Sequence, residues 1–267
     1  FVDMGSDISP FKPIWDPETG ILHLRYENYF SIFRTEEGAP LFRTLYVEAY
    51  VRSSWYALLT AILCLLIGYP FAYFIARAEA STRPALLLMV MLPFWTSFLL
   101  RVYAWKGLLA DQGVINQLLM ALGLISAPLQ IINTEIAVHL GIVYSYLPFM
   151  ILPLYSSLEK IKPSLLEAAE DLGSPPWKAF WQVTFPLSLP GVIAGSLLVF
   201  IPAVGEFVIP DLLGGSETLM IGKTLWSEFF NNRDWPVSSA VAVVLLLVLV
   251  IPIMLFQRMQ EKQREAN

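Results

Sequence analysis

Residues 167–191 read EAAEDLGSPPWKAFWQVTFPLSLPG, a polar stretch punctuated by prolines and set between two long apolar runs. Ser164 lies three residues before Glu167, the spacing at which a hydroxyl caps a helix and the glutamate reaches back to it. Gly173 supplies a residue able to take the left-handed conformation that ends a helix. The spacing therefore predicts a short helix. Leu165, Ala168, Ala169 and Leu172 fall at i, i+3, i+4 and i+7, a narrow apolar stripe flanked by Glu167, Glu170 and Asp171. Such a stripe fits a groove on another protein. Ser174-Pro175-Pro176 restarts a second helix, because proline is accommodated in the first turn, and Pro186 and Pro190 bracket the return to the apolar run. An interfacial connector with no partner would share this pattern, and the remainder of the chain separates the two readings.

Working outward, the 267 residues are 56% hydrophobic and only 15% charged, with a mean hydropathy of +0.60, a balance that points to a membrane protein. A bilayer core of about 30 Å takes about 20 apolar helical residues. Five stretches qualify, at about 54–76, 86–109, 133–156, 189–213 and 237–257. Arg77, Arg83, Lys160, Lys162, Lys178, Arg258, Lys262 and Arg264 all fall on one side of these spans, which the positive-inside rule assigns to the cytoplasm. The opposite loops, about 110–132 and 214–236, carry Lys223 and Arg233 against Asp111, Glu217, Glu228 and Asp234. The elbow thus faces the cytosol. The expected organisation is a periplasmic segment over residues 1–53, a transmembrane region over 54–257 with the cytosolic loop at about 157–188, and a cytosolic tail over 258–267.

The spans are broken by Gly68, Pro70, Pro93, Pro148, Pro153, Pro202, Gly205, Pro210 and Pro252. Interrupted helices are tolerated in lipid where neighbouring helices or a water-filled cavity satisfy the freed backbone groups, which favours a transport path over a simple anchor. Glu206 lies within the run IPAVGEFVIPDLLGG at 201–215. An acid at membrane depth costs about 3 kcal/mol on insertion scales and is a functional-site hypothesis by default. Two readings stay open: a cation site built from Glu206 and Asp211, or a hydrogen-bonded glutamate that bridges helices. For a cation, Phe207, Phe94, Trp95, Tyr103 and Trp105 offer aromatic faces, each worth about 1–2 kcal/mol to a desolvated ammonium. Trp and Tyr also anchor at membrane surfaces, and for Trp95 that role and path lining weigh equally. Trp226 and Trp235, in an outer loop, fit anchoring or contact with a receptor.

Several chemistries drop out. Cys64 is the single cysteine, so a disulfide or thiolate metal site lacks its second sulfur. His23 and His139 have no ligand-spaced neighbours, no hydrolytic triad or paired carboxylate stands out, and no nucleic-acid motif is present. Ile221-Gly222-Lys223-Thr224 resembles the end of a phosphate loop, but the loop's first glycine would fall at Glu217, whose charge repels phosphate. No cofactor is expected on this chain.

Glu167-Ala168-Ala169, Gly173 and the later Val183-Thr184-Phe185-Pro186 resemble the EAA loop of bacterial ABC importer permeases. Valine replaces the usual isoleucine and phenylalanine the usual leucine, both keeping an apolar side chain. The resemblance implies an all-α membrane protein, the transmembrane domain of a type I ABC importer, in which Glu167, Ala168, Ala169, Glu170, Asp171 and Gly173 couple to an ATPase dimer that carries ATP and magnesium. The family usually has six spans. With five visible and Phe1 in place of methionine, a sixth, amino-terminal span is expected to be missing from this sequence. FWTSFLLRVYAW at 94–105, the segment from Gly205 to Gly215, and EFFNNRDWP at 228–236 are similar to the polyamine branch, above all its putrescine-type permeases. That implies an inner-membrane importer with a homologous second permease and a periplasmic polyamine-binding protein, and makes Glu206, Asp211, Trp95 and Tyr103 the candidates for the substrate path. An ion-coupled amine carrier would also use an intramembrane acid and broken helices, but has no need of a cytosolic elbow. A permease for another solute, or a purely structural subunit, are the remaining alternatives.

Overall fold

The computed structural model describes Tyr29, residues 45–216 and residues 218–265. Most of the amino-terminal segment expected at 1–53 lies outside these, as does Glu217. The described chain is helical: α1 Leu45–Arg77, α2 Arg83–Met91 with a 3-10 turn Leu92–Trp95, α3 Phe98–Leu109, α4 Val114–Ala121 and α5 Glu135–Leu158. Then follow α6 Pro163–Asp171, α7 Pro176–Ala179, a π-helical turn Phe180–Thr184, α8 Phe185–Val204, α9 Val208–Leu213, α10 Ile221–Trp226, a second π turn Ser227–Asn231 and α11 Trp235–Glu265.

Four helical stretches are long and apolar enough to cross a bilayer: Leu45–Arg77, Glu135–Leu158, Pro176–Val204 and Trp235–Met254. The fifth expected span, 86–109, is not one straight helix. It bends by 86° between Arg83–Trp95 and Phe98–Ala121, next to Pro93, whose missing N–H ends the regular ladder. The span expected at 189–213 also differs. Its helix begins earlier, runs to Val204 and stops before Gly205 and Glu206, and a separate short helix starts at Val208.

The chain divides into two compact units, one with the described residues up to Trp55, Val204–Pro210 and those from Leu219 onward, the other with Tyr56–Ala203 and Asp211–Thr218. In the second, Cys64, Tyr69, Ala72, Ile75, Met150, Leu154, Leu158 and Val199 form a core. Small residues let its backbones approach: a Cβ on Gly191 would fall 2.5 Å from Ser157 Oγ and 2.7 Å from the Pro153 carbonyl, and one on Gly195 2.8 Å from Met150 Sδ. Tyr69 and Ser188 share a buried hydroxyl hydrogen bond of 2.9 Å. In the first unit, the Tyr50 hydroxyl donates to the Val241 carbonyl at 2.6 Å, the Tyr46 hydroxyl to Glu228 Oε1 at 2.9 Å, and the Ile221 amide to Ser53 Oγ at 2.7 Å. Only 17% of the apolar window of α11 is buried within this chain, and its Val243, Leu246, Leu247 and Ile251 are exposed.

Candidate functional site

The elbow is built from local backbone chemistry. Pro163 occupies the first turn of α6, and Lys162, not Ser164, is the residue before it, with no side-chain cap. The expected capping box is therefore absent: Pro163 has no N–H to satisfy and begins the helix itself, placing Ser164 inside the first turn. The other end is as expected. Gly173 has φ +81°, its N–H donates to the Glu170 carbonyl at 2.8 Å, and the Ser174 N–H donates to Ala169 at 3.0 Å. Those are the two bonds of a Schellman stop, and they require the left-handed residue.

This stop ends α6 with its expected coupling face open. Glu167, Ala168, Glu170 and Asp171 are exposed and Ala169 is half-buried, while Leu165 and Leu172 are 45% and 87% exposed. No residue of α6 is buried. Trp177 and Trp181, on the following segment, are also exposed. Below them Phe180 sets its edge against Tyr69 at 5.5 Å and lies 6.3 Å from Phe185. The second elbow helix is not separated from the membrane run: α7, the π turn and α8 form one candidate span, Pro176–Val204. Pro190 lies inside that helix rather than closing the loop.

Glu206 is 7% exposed. Its Oε1 accepts from the amides of Phe207, Val208 and Ile209 at 3.2, 3.1 and 3.4 Å. The carboxylate thus satisfies the orphan N–H groups at the head of α9, the need that any broken helix creates. Asp211 is exposed on the same helix and falls in the other unit. Trp95 ends the 3-10 turn 74% exposed and Tyr103 is 55% exposed on α3; the two stand on opposite sides of the 86° bend in sequence. Other aromatic faces are occupied within the chain. The Arg101 guanidinium lies 4.7 Å from the Phe94 ring centroid, Phe207 stacks on Trp226 at 4.6 Å, and Trp105 meets Tyr144 edge-on at 5.3 Å.

Sequence reading missed Arg101 and Trp226 in these roles; aromatic residues three and seven positions before Arg101 were the available signal. It also missed a polar cleft of about 600 Å³ lined by Asn133, Thr134, Glu135, Gly215, Ser216 and Thr218. A Cβ on Gly215 would lie 2.6 Å from the Asn133 carbonyl, which explains the glycine. Gly222 in the phosphate-loop lookalike has a similar packing role, since a Cβ there would meet the carbonyls of Gly205 and Glu206 at 2.4 and 2.7 Å. Among the described residues no group of three His, Cys, Asp or Glu is placed to hold a metal ion.

Comparison with known proteins gives concordant matches. The family model described as "Binding-protein-dependent transport system inner membrane component" matches residues 65–265. A spermidine/putrescine transport system permease protein, PotB of Haemophilus influenzae, is 47% identical over 232 residues, covering 86% of this chain and 81% of its own length. The PotB of Escherichia coli is 42% identical over 227 residues, with 85% and 82% covered. Among solved structures, a bacterial ABC transporter that imports the acidic polysaccharide alginate aligns with a TM-score of 0.62 at 16% identity, over 90% of this chain and 84% of that one. The MetNI methionine ABC transporter, in an inward-facing conformation, aligns at 0.60 and 16% identity, over 80% and 94%. At these identities the structural likeness establishes the fold.

Proposed function

This chain belongs to the family of binding-protein-dependent transport system inner membrane components, and we propose that it is the permease subunit of an ATP-driven importer that carries polyamines, putrescine foremost, into the cytoplasm. It sits in the inner membrane and is a transport subunit; hydrolysis belongs to a separate ATPase. The observation that carries the mechanism is the α6 face around Glu167, Ala168 and the half-buried Ala169, stopped by Gly173 and followed by a segment that continues unbroken into a span. A rigid, uncovered stripe at the root of a span is suited to receive movement from an ATPase dimer and pass it to the membrane helices. Glu167, Ala168, Ala169, Glu170, Asp171 and Gly173 do so in this reading, the acids meeting basic groups of the ATPase.

A loaded periplasmic binding protein delivers the amine, and a homologous second permease completes the passage. Support for a polyamine comes from the relatives, whose names couple spermidine with putrescine at 42–47% identity. Glu206, Asp211, Trp95 and Tyr103 are the path residues on this side. The carboxylates would attract ammonium groups, and the exposed aromatic faces would guide them without trapping.

The test is ATP-dependent uptake of labelled putrescine into vesicles holding the assembled transporter, with unlabelled spermidine in excess. Uptake that spermidine barely inhibits is the expected result, and strong inhibition would replace putrescine selectivity with a broader polyamine range. Assembly and ATP turnover with no polyamine uptake would overturn the substrate.

A further inference from the structure

The second unit contains an apolar crevice of about 340 Å³ between α1, α2 and α5. Phe71, Phe74, Leu86, Met89, Leu147 and Ile151 are among the side chains that line it, and only Tyr144 brings a hydroxyl. Phe74 and Met89 are 64% and 67% exposed, so the crevice opens outward rather than being sealed inside the helices. Its position along the spans is set by sequence. Phe71 and Phe74 lie in the last two turns of α1 before Arg77, and Leu86 lies one turn after Arg83. The nearby polar ends carry Arg77, Arg83, Lys160 and Lys162 against Glu79 and Glu159, four basic groups to two acidic ones. By the positive-inside rule this is the cytoplasmic leaflet.

In the hydrocarbon layer such a crevice cannot be filled with water without cost, because its walls offer almost no hydrogen-bond partner. The crevice is open on the side of Phe74 and Met89, so a flexible apolar chain can enter it from the bilayer. A single lipid chain is narrow enough. One turn before Leu86 on α2, Arg83 Nε donates to the Ala78 carbonyl at 2.9 Å and its Nη1 pairs with Glu159 Oε1 at 3.1 Å, holding the guanidinium in place at the basic end. Basic groups at the cytoplasmic ends of transmembrane helices select anionic head groups.

We propose that this crevice is a binding site for one acyl chain of an anionic phospholipid of the inner leaflet, its phosphate lying at the Arg83 end. The chain packs along Leu86, Met89 and Leu147 and fills the space between α2 and α5, next to Pro93, where the 86° bend begins.

The experiment uses the complete transporter in nanodiscs doped with phosphatidylglycerol or phosphatidylethanolamine, each carrying a photoactivatable group on one acyl chain. Labelling of peptides from 71–93 and 144–151 by the phosphatidylglycerol probe is expected, with competition by its unlabelled form. Met89→Trp and Leu86→Trp, which fill the crevice, should each cut that labelling about tenfold, equivalent to about 1.4 kcal/mol, while subunit assembly and ATP turnover are retained. Arg83→Gln should erase the preference for phosphatidylglycerol. Competition by the unlabelled lipid on the unsubstituted protein keeps the test valid if a tryptophan variant fails to assemble. Equal labelling by both probes, labelling indifferent to both tryptophans, or crosslinking of these peptides to the second permease would overturn the proposal.

Discussion

Glu206 gives one oxygen to three successive amides, so its charge and its hydrogen-bonding capacity can be separated by substitution. Glutamine keeps a carbonyl oxygen of the same reach and loses the charge; leucine loses both. Glu206→Gln is expected to assemble normally and melt with the unsubstituted protein, but to lower putrescine uptake about tenfold, a loss of about 1.4 kcal/mol. Glu206→Leu should also lower the melting temperature, since an orphaned buried amide costs about 1–3 kcal/mol. Uptake and thermal unfolding of the same preparations check both, and unaltered uptake by the glutamine variant would reduce Glu206 to a cap. Gly222→Ala is expected to destabilise by about 1–3 kcal/mol, because the added carbon meets backbone carbonyls at 2.4 and 2.7 Å that have no freedom to swing away. Thermal unfolding is again the measurement. That Glu206 is unusual was legible from its apolar neighbours, whereas the direction of its oxygen was not. The same holds for Phe94 and Phe207, whose faces are taken by Arg101 and Trp226. An aromatic residue in a sequence does not reveal which of its faces is already covered.

At the scale of elements, α6 is held at its end by Gly173 and buries no side chain. Leu172, 87% exposed, contributes nothing to the permease core, so Leu172→Asp should leave its melting temperature unchanged. It should nonetheless weaken association with the ATPase by at least about tenfold, since a buried carboxylate would replace an apolar contact; co-purification of the two subunits reads this out. The opposite separation is expected where α8 meets α5. Gly191→Val would force methyl groups onto Ser157 and the Pro153 carbonyl, already 2.5–2.7 Å from a first carbon. Overpacking of this kind costs about 1–3 kcal/mol, seen as a lower melting temperature before any effect on the ATPase contact. Element types were legible because long apolar runs and the glycine stop are local signals. The start of α6 was not, since Pro163 overrides the Ser164 capping spacing, and the bend after Pro93 was not, since a proline permits a break without setting its angle.

At the scale of the whole molecule, the chain is a transport subunit, and the proposed cycle needs subunits that bind ATP and deliver the cargo. Vesicles prepared with a hydrolysis-deficient ATPase are expected to lose putrescine uptake while retaining the assembled permeases. Uptake that persisted under an ion gradient would instead identify a secondary carrier. The sequence by itself determined the membrane class, an elbow between apolar runs and the resemblance to ABC importer permeases, because hydropathy and a local helix stop act over a turn or a span. Only the tertiary structure decided that the fourth expected span ends at Val204, that Glu206 turns one oxygen to the amides of α9, and that Arg101 covers Phe94. Those outcomes depend on which side chain reaches a freed backbone group or an open ring face first. That competition is settled by packing in three dimensions and leaves little trace in residue spacing.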